Sequence, residues 1–241
     1  MEPAAHLEHL AADGALLAAA ARGHLDLLVP SCPEWVVADL VTHTGEVYGH
    51  KIPIVRDGAR PTGAGPLPPP GADLLDWYDA TLGELLGVLR GRDPAEKVWT
   101  WYPPEQSARF WYRRMAQETV IHRADAELAV GIDPQVDREL ALDGIDELLV
   151  CFVGAFWGSQ ATGGEGETVA LRSDGRAWHV TIDPDAVAVT RGAHPAGTTV
   201  SAPPRELLLY LWGRLPVDVV DITGDRSAAQ LLREILVETT Q

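Results

Sequence analysis

In the stretch RRMAQETVIHRADAELAVG, residues 113–131, Glu118, His122 and Asp125 fall along one side of a helical pattern, on the stripe that also carries Met115, Ala126 and Ala129. At about 100° per residue, Glu118 and His122 stand only ~40° apart around the axis, with Cβ atoms ~6 Å apart, so both side chains reach one point. That is ligand spacing. A carboxylate and an imidazole turned inward are costly unless paired, and the interior of a helical bundle is where facing helices build metal sites. A third donor is needed, and the helical pattern over 37–56 offers His43, Glu46 and His50. His43 and His50 share the face of Leu40 and Val47 but lie seven residues apart, ~10.5 Å along the axis, so one ion is not expected to take both. Spacing alone does not choose among the three. Asp125, one turn past His122, either orients a ligand imidazole from behind or pairs with a neighbouring arginine.

The elements that must position these residues are legible as apolar periodicity. Residues 3–22 are rich in Ala and Leu at helical spacing and stop at Gly23. A second helix runs from about Val37 to Arg56, followed by the Pro/Gly-rich connection DGARPTGAGPLPPPG, residues 57–71. A third covers roughly Ala72–Arg90, and the aromatic loop VWTWYPPEQS separates it from a fourth, about Ala108–Val130. Four helices with connections of unequal length predict a four-helix bundle with one long crossing connection. Past Asp133-Pro134 the composition changes. Residues 135–157 read as a buried helix, and the stretch TVALRSDGRAWHVTIDPDAVAVTRG reads as strands joined by tight turns at SDGR and DPDA. Helical patterns follow in PPRELLLYLWGRLP and SAAQLLREILVETT. The expected fold class is a two-domain α+β protein, with a helical bundle over 1–134 and a small α+β domain over 135–241.

Composition excludes several partners. The chain has 35 acidic against 19 basic side chains and a formal net charge of −16, with the arginines scattered, so nucleic acid is not an expected partner. Lysine is confined to Lys51 and Lys97, which argues equally against an anionic membrane surface. No apolar run reaches the ~18 residues of a membrane span, and MEPAAHLEHL lacks the features of a signal peptide, so a cytoplasmic location and a monomer are expected. Two cysteines, Cys32 and Cys151, make no disulfide framework, and Cys151 reads as core packing.

Three stretches, SCPEWVVADLVTHTGEVYGH, FWYRRMAQETVIHRADAELA and LLLYLWGRLPVDVVDITGD, together resemble the mycothiol-dependent maleylpyruvate isomerase family of actinobacteria. Its N-terminal half belongs to the wider DinB-like metal-binding bundles. The likeness runs in order over nearly the whole chain. It implies a divalent metal, usually taken as zinc, held by the histidine of an H-x-G stretch, here His43 before Gly45, and by a Glu and His four apart, here Glu118 and His122. His50 is then left to cavity lining or surface contact. The resemblance also implies that Arg214, in LWGR, binds a substrate carboxylate, and that mycothiol is the thiol cosubstrate. Two positions depart from the family's pattern. Val36 stands where relatives often have a hydroxyl N-cap, so a frayed start of helix two is expected, and Gln117 stands where many have His.

The chemistry follows from the residue types. Two imidazoles and one carboxylate leave zinc an open position, and a thiol entering it becomes a strong nucleophile at neutral pH. Neither cysteine of the chain is placed to serve, so the thiol must be brought in. Thiolate addition to a conjugated double bond, rotation and elimination would isomerise a maleylpyruvate-like substrate; addition alone is S-transfer to an electrophile. The competing class is a non-catalytic protein that uses the same cavity to bind a ligand or regulate a partner. Arg214 has its own alternative, capping the carbonyls that end its helix. Trp99, Trp101 and Tyr102 are expected to pack between the domains or line the cavity mouth, and His6, His9, His24, His179 and His194 to lie at the surface.

Overall fold

The computed structural model describes residues 1–153 and 162–240 and divides into two compact units, Met1–Gln135 and Val136–Gln241. In the first, α1 (Pro3–Ala21), α2 (Val37–Asp57), α3 (Leu74–Arg90) and α4 (Ala108–Ala129) form a four-helix bundle. Each of α1 and α2 packs against both α3 and α4, so the diagonals run α1 to α2 and α3 to α4. Leu10, Leu17, Leu40, Ile54, Leu85, Leu89, Met115 and Ile121 fill the core between them. No helix among the described residues is long and apolar enough to cross a membrane.

Local chemistry sets the helix ends. α3 starts at Leu74 rather than Ala72 because the Asp73 carboxylate accepts from the Leu75 and Asp76 N–H groups, both at 3.0 Å. At the start of α2, where a frayed end was expected, the Val37 and Ala38 N–H groups donate to the Leu27 and Leu25 carbonyls, both at 2.9 Å, and the Val36 N–H donates to Asp39 Oδ2 at 2.9 Å, so the first turn is bonded without a capping hydroxyl. The preceding residues, to which the sequence assigned no element, form a small hairpin of β1 (Leu28–Val29) and β2 (Cys32–Val36). Two-residue pairing is too short to show as alternation in a sequence.

α4 is buried on nearly all sides, from Phe110 to Glu127, because it touches both α1 and α2. Its polar side chains are therefore paired inside the bundle. Arg123 meets Asp13 of α1 at 3.1 Å, and Thr119 lies 2.5 Å from the Tyr48 hydroxyl of α2. The aromatic loop has partners within this unit. Trp101 and Tyr102 contact the Phe110 ring, with centroids 5.0 and 6.2 Å away, and the Trp99 carbonyl accepts from Trp111 Nε1 at 2.9 Å. His6 is also corrected: it is buried at 2% exposure on the inner face of α1.

In the second unit, α5 (Arg138–Glu147) starts at an Asp137 cap and widens into a π-helical turn over Leu148–Val153. The rest of the helix expected to residue 157 lies outside the described residues. A five-stranded sheet has the order β5-β4-β3-β6-β7, with β3 (Glu167–Ser173), β4 (Arg176–Asp183), β5 (Ala186–Arg191), β6 (Thr198–Ser201) and β7 (Asp221–Gly224). β3 and β6 are parallel and the other pairs antiparallel. At the SDGR turn Asp174 and Gly175 have φ of 44° and 80°, the left-handed pair that matches the strand twist of a tight hairpin. β6 and β7, four residues each, were too short to be legible in advance. Helices α6 (Pro204–Leu211) and α7 (Arg226–Thr240) complete the unit, α6 against α5 and α7 against the sheet.

Candidate metal centre

α2 and α4 bring His43, Glu118 and His122 together, each offering one ligand atom within 4.8 Å of the others. His43 Nε2 lies 3.6 Å from Glu118 Oε1, and His122 Nε2 lies 3.2 Å from the same oxygen. The imidazole rings stand nearly perpendicular, 5.1 Å apart. His122 is the most enclosed and His43 the most open, at 11% and 37% side-chain exposure, so the centre is reached from the His43 side.

The donors are held from behind. Glu118 Oε2 accepts from Arg114 Nη2 at 2.7 Å, an i,i+4 pair with the guanidinium buried. Asp125, fully buried, lies 3.1 Å from His122 Nδ1 and also accepts from the Ser31 hydroxyl. A carboxylate accepts only, so Nδ1 carries the proton and Nε2 turns its lone pair toward Glu118 Oε1. Two acceptors then face each other across 3.2 Å, an arrangement that calls for a cation between them. A proton is one such cation. Burial opposes it, but the bonds to Asp125 and Glu118 push the His122 pKa up to about 9. Burial likewise opposes charge on Glu118, yet His122, His43 and Arg114 hold its carboxyl well below the usual range. A divalent ion is the other, and the donor set fits one.

Gly45 explains the H-x-G spacing. A Cβ there would meet the Trp77 ring at 2.3 Å, so only glycine lets that indole lie against α2 two residues from His43. On the other side Trp35 tilts against the His43 ring with centroids 4.9 Å apart. His50 is not among the converged donors. Its Nδ1 lies 2.8 Å from Lys51 Nζ, and it lines a cavity of about 270 Å³ between α2 and the Pro/Gly-rich connection, with Arg60, Thr62 and Pro66. Glu46 lies under Gly65 of that same connection, where a Cβ would come within 2.1 Å of the Glu46 carbonyl oxygen. Gln117 is buried in α4.

In the second unit, α6 ends at Gly213, whose φ of 77° lets the Arg214 N–H reach the Leu209 carbonyl at 2.7 Å. The half-buried Arg214 guanidinium donates to the Trp212 carbonyl at 2.6 Å and lies 5.8 Å from that indole. Sequence reasoning had not assigned Arg114, Ser31 or Trp35 to the centre. Only Arg114 carried a signal, its i,i+4 spacing to Glu118. His179 of β4 and His194, in the connection after β5, place their rings 5.6 Å apart.

Residues 7–127 match the family model described as the mycothiol maleylpyruvate isomerase N-terminal domain, and residues 139–231 that of the MDMPI C-terminal domain. The chain shares its fold with the solved structure of the mycothiol-dependent maleylpyruvate isomerase at a TM-score of 0.62 and 14% identity, covering 93% of this chain and 95% of that one. A histidine-to-alanine mutant of that enzyme matches over the same shares at a TM-score of 0.63 and 13% identity. No curated protein matches the sequence significantly. With one domain model spanning half of it and a second following in order, the chain belongs to the mycothiol maleylpyruvate isomerase family.

Proposed function

We propose that this chain is a metal-dependent enzyme that uses mycothiol, a low-molecular-weight thiol, for isomerisation of, or S-transfer to, a small electrophilic substrate. Family membership supports the thiol and the isomerase chemistry. The observation that carries the metal is the donor set, in which two imidazoles and one carboxylate oxygen converge while Arg114 and Asp125 occupy their outer faces. Three protein ligands leave zinc one open position, the arrangement of catalytic rather than structural sites. An ion held there supplies the Lewis acidity that makes an entering thiol a thiolate at neutral pH.

The chain's own residues do the remaining tasks. Asp125 fixes the His122 tautomer, and Arg114 holds one Glu118 oxygen so that the other faces the centre. Arg214 offers a planar fork suited to a substrate carboxylate. With a cis double bond conjugated to a carbonyl, as in maleylpyruvate, thiolate addition forms a C–S bond and converts the double bond to a single bond. Rotation follows, and expulsion of the thiolate restores the double bond in the trans form. Addition without expulsion, closed by a proton, is S-transfer. The test is purified protein with mycothiol, maleylpyruvate and a panel of electrophiles. Turnover that chelation abolishes and zinc restores is expected. A folded, zinc-loaded chain that turns over none of them would instead be a binding protein.

A further inference from the structure

The α2–α4 region holds a cation that the reaction above does not use. Of the two lysines, Lys97 is exposed, whereas Lys51 is half-buried on α2, eight residues beyond His43. Its Nζ lies 2.8 Å from His50 Nδ1 and 5.6 Å from the centroid of the buried Trp111 ring. Neither partner is an anion. Among the described residues no carboxylate lies within ion-pair distance of Lys51, although Glu118 and Arg114 both act on it electrostatically. An ammonium has three donors, and an imidazole nitrogen accepts one.

A partly desolvated ammonium is normally retained next to an anion. Here burial lowers the Lys51 pKa, Glu118 opposes that, and the Arg114 guanidinium adds to it. Glu118, the carboxylate that acts on Lys51, is already committed to Arg114 and the two histidines. In a chain of net charge −16, Lys51 is one of two cations, with Arg114, whose fields overlap beside Glu118, and a bound divalent ion would add to them. We propose that Lys51 is an anion-binding residue of this centre, taking the carboxylate of a small organic acid bound between α2 and α4. The proposal rests on reading the His43–Glu118–His122 cluster as the active centre.

The lysine content makes a direct test possible. Reductive methylation of the wild-type chain, read by peptide mass spectrometry, follows Lys51 with Lys97 as an internal control. Succinate is expected to slow Lys51 modification about fivefold or more while leaving Lys97 unchanged, and the neutral succinamide to protect neither. In titrations, Lys51→Gln should weaken succinate binding about tenfold or more, with zinc content unchanged, and Lys97→Gln should have no effect. A lysine that only packs on Trp111 would move neither readout. Equal protection of both lysines, protection by succinamide, or succinate affinity in Lys51→Gln within about twofold of wild type overturns the proposal. Zinc content is measured on the same samples. A chain that takes up no zinc breaks the metal reading, while the protection pattern still decides the lysine.

Discussion

The two chemical groups on which this chain's activity would depend are held in opposite ways. Glu118 and His122 lie on the most buried helix of the bundle, and each has its outer atom bonded by a further buried side chain, Arg114 or Asp125. Arg214 follows the glycine that ends α6, and its guanidinium bonds the carbonyl of its own turn. A donor fixed from behind needs no rearrangement to bind, whereas Arg214 is held by a bond within its own turn. The bundle therefore fixes its metal donors before any ligand arrives.

Substitutions can break that contrast. The largest effect is expected at Glu118, where Glu118→Gln removes the charged donor. Activity should fall by about 10³-fold or more, the loss of several kcal/mol of metal-assisted stabilisation, as read in kcat/KM. Retained activity would detach the cluster from the chemistry. At Arg214, substitution by Ala should cost on the order of 2–5 kcal/mol in kcat/KM on a carboxylate substrate, with Lys intermediate and metal content unchanged. If Arg214 only caps its helix, a folded Arg214→Ala variant keeps wild-type kcat/KM and loses only some thermal stability. The smallest of the three is Asp125→Asn, which leaves the donors in place but weakens the hold on the His122 tautomer. Metal affinity should drop about 10–100-fold, and an unchanged affinity would make Asp125 simply a partner of Ser31.

How much of this was legible follows from the physics of each part. Glu118 and His122 were visible because both lie on one helix, where sequence distance converts directly to position. His43 required a second helix, and spacing left it level with Glu46 and His50 until the resemblance chose. Fold geometry then separated them, since only His43 meets the α4 pair. Arg114 was readable in principle, whereas Ser31 and Trp35 come from a hairpin too short to show any period. The start of α2 near Val37 was legible, but the bonds that hold its first turn were not, because they come from the Leu25 and Leu27 carbonyls rather than from a capping side chain. In the second unit the β3–β5 meander announced itself through alternation and its turns, whereas β6 and β7 depend on pairing with distant strands.

The most direct test of the central claim is a calorimetric zinc titration of the chelator-treated chain at pH 7.5, in buffers of different ionisation enthalpy. In the metal-free chain burial disfavours the His122 proton, but Asp125 and Glu118 keep it in place up to about pH 9. Zinc must displace that proton, so binding one ion per chain should release about one proton, and apparent affinity should fall about tenfold per unit as pH drops below about 9. The sign is opposite for the metal-free fold: the His122 proton stabilises it fully below its unfolded pKa of about 6.5, and that stabilisation is lost as pH rises through about 9. His50→Ala should titrate like wild type, and His43→Ala well below one ion per chain. A site that His50→Ala empties and His43→Ala leaves filled, or zinc uptake with no proton release, would contradict the account.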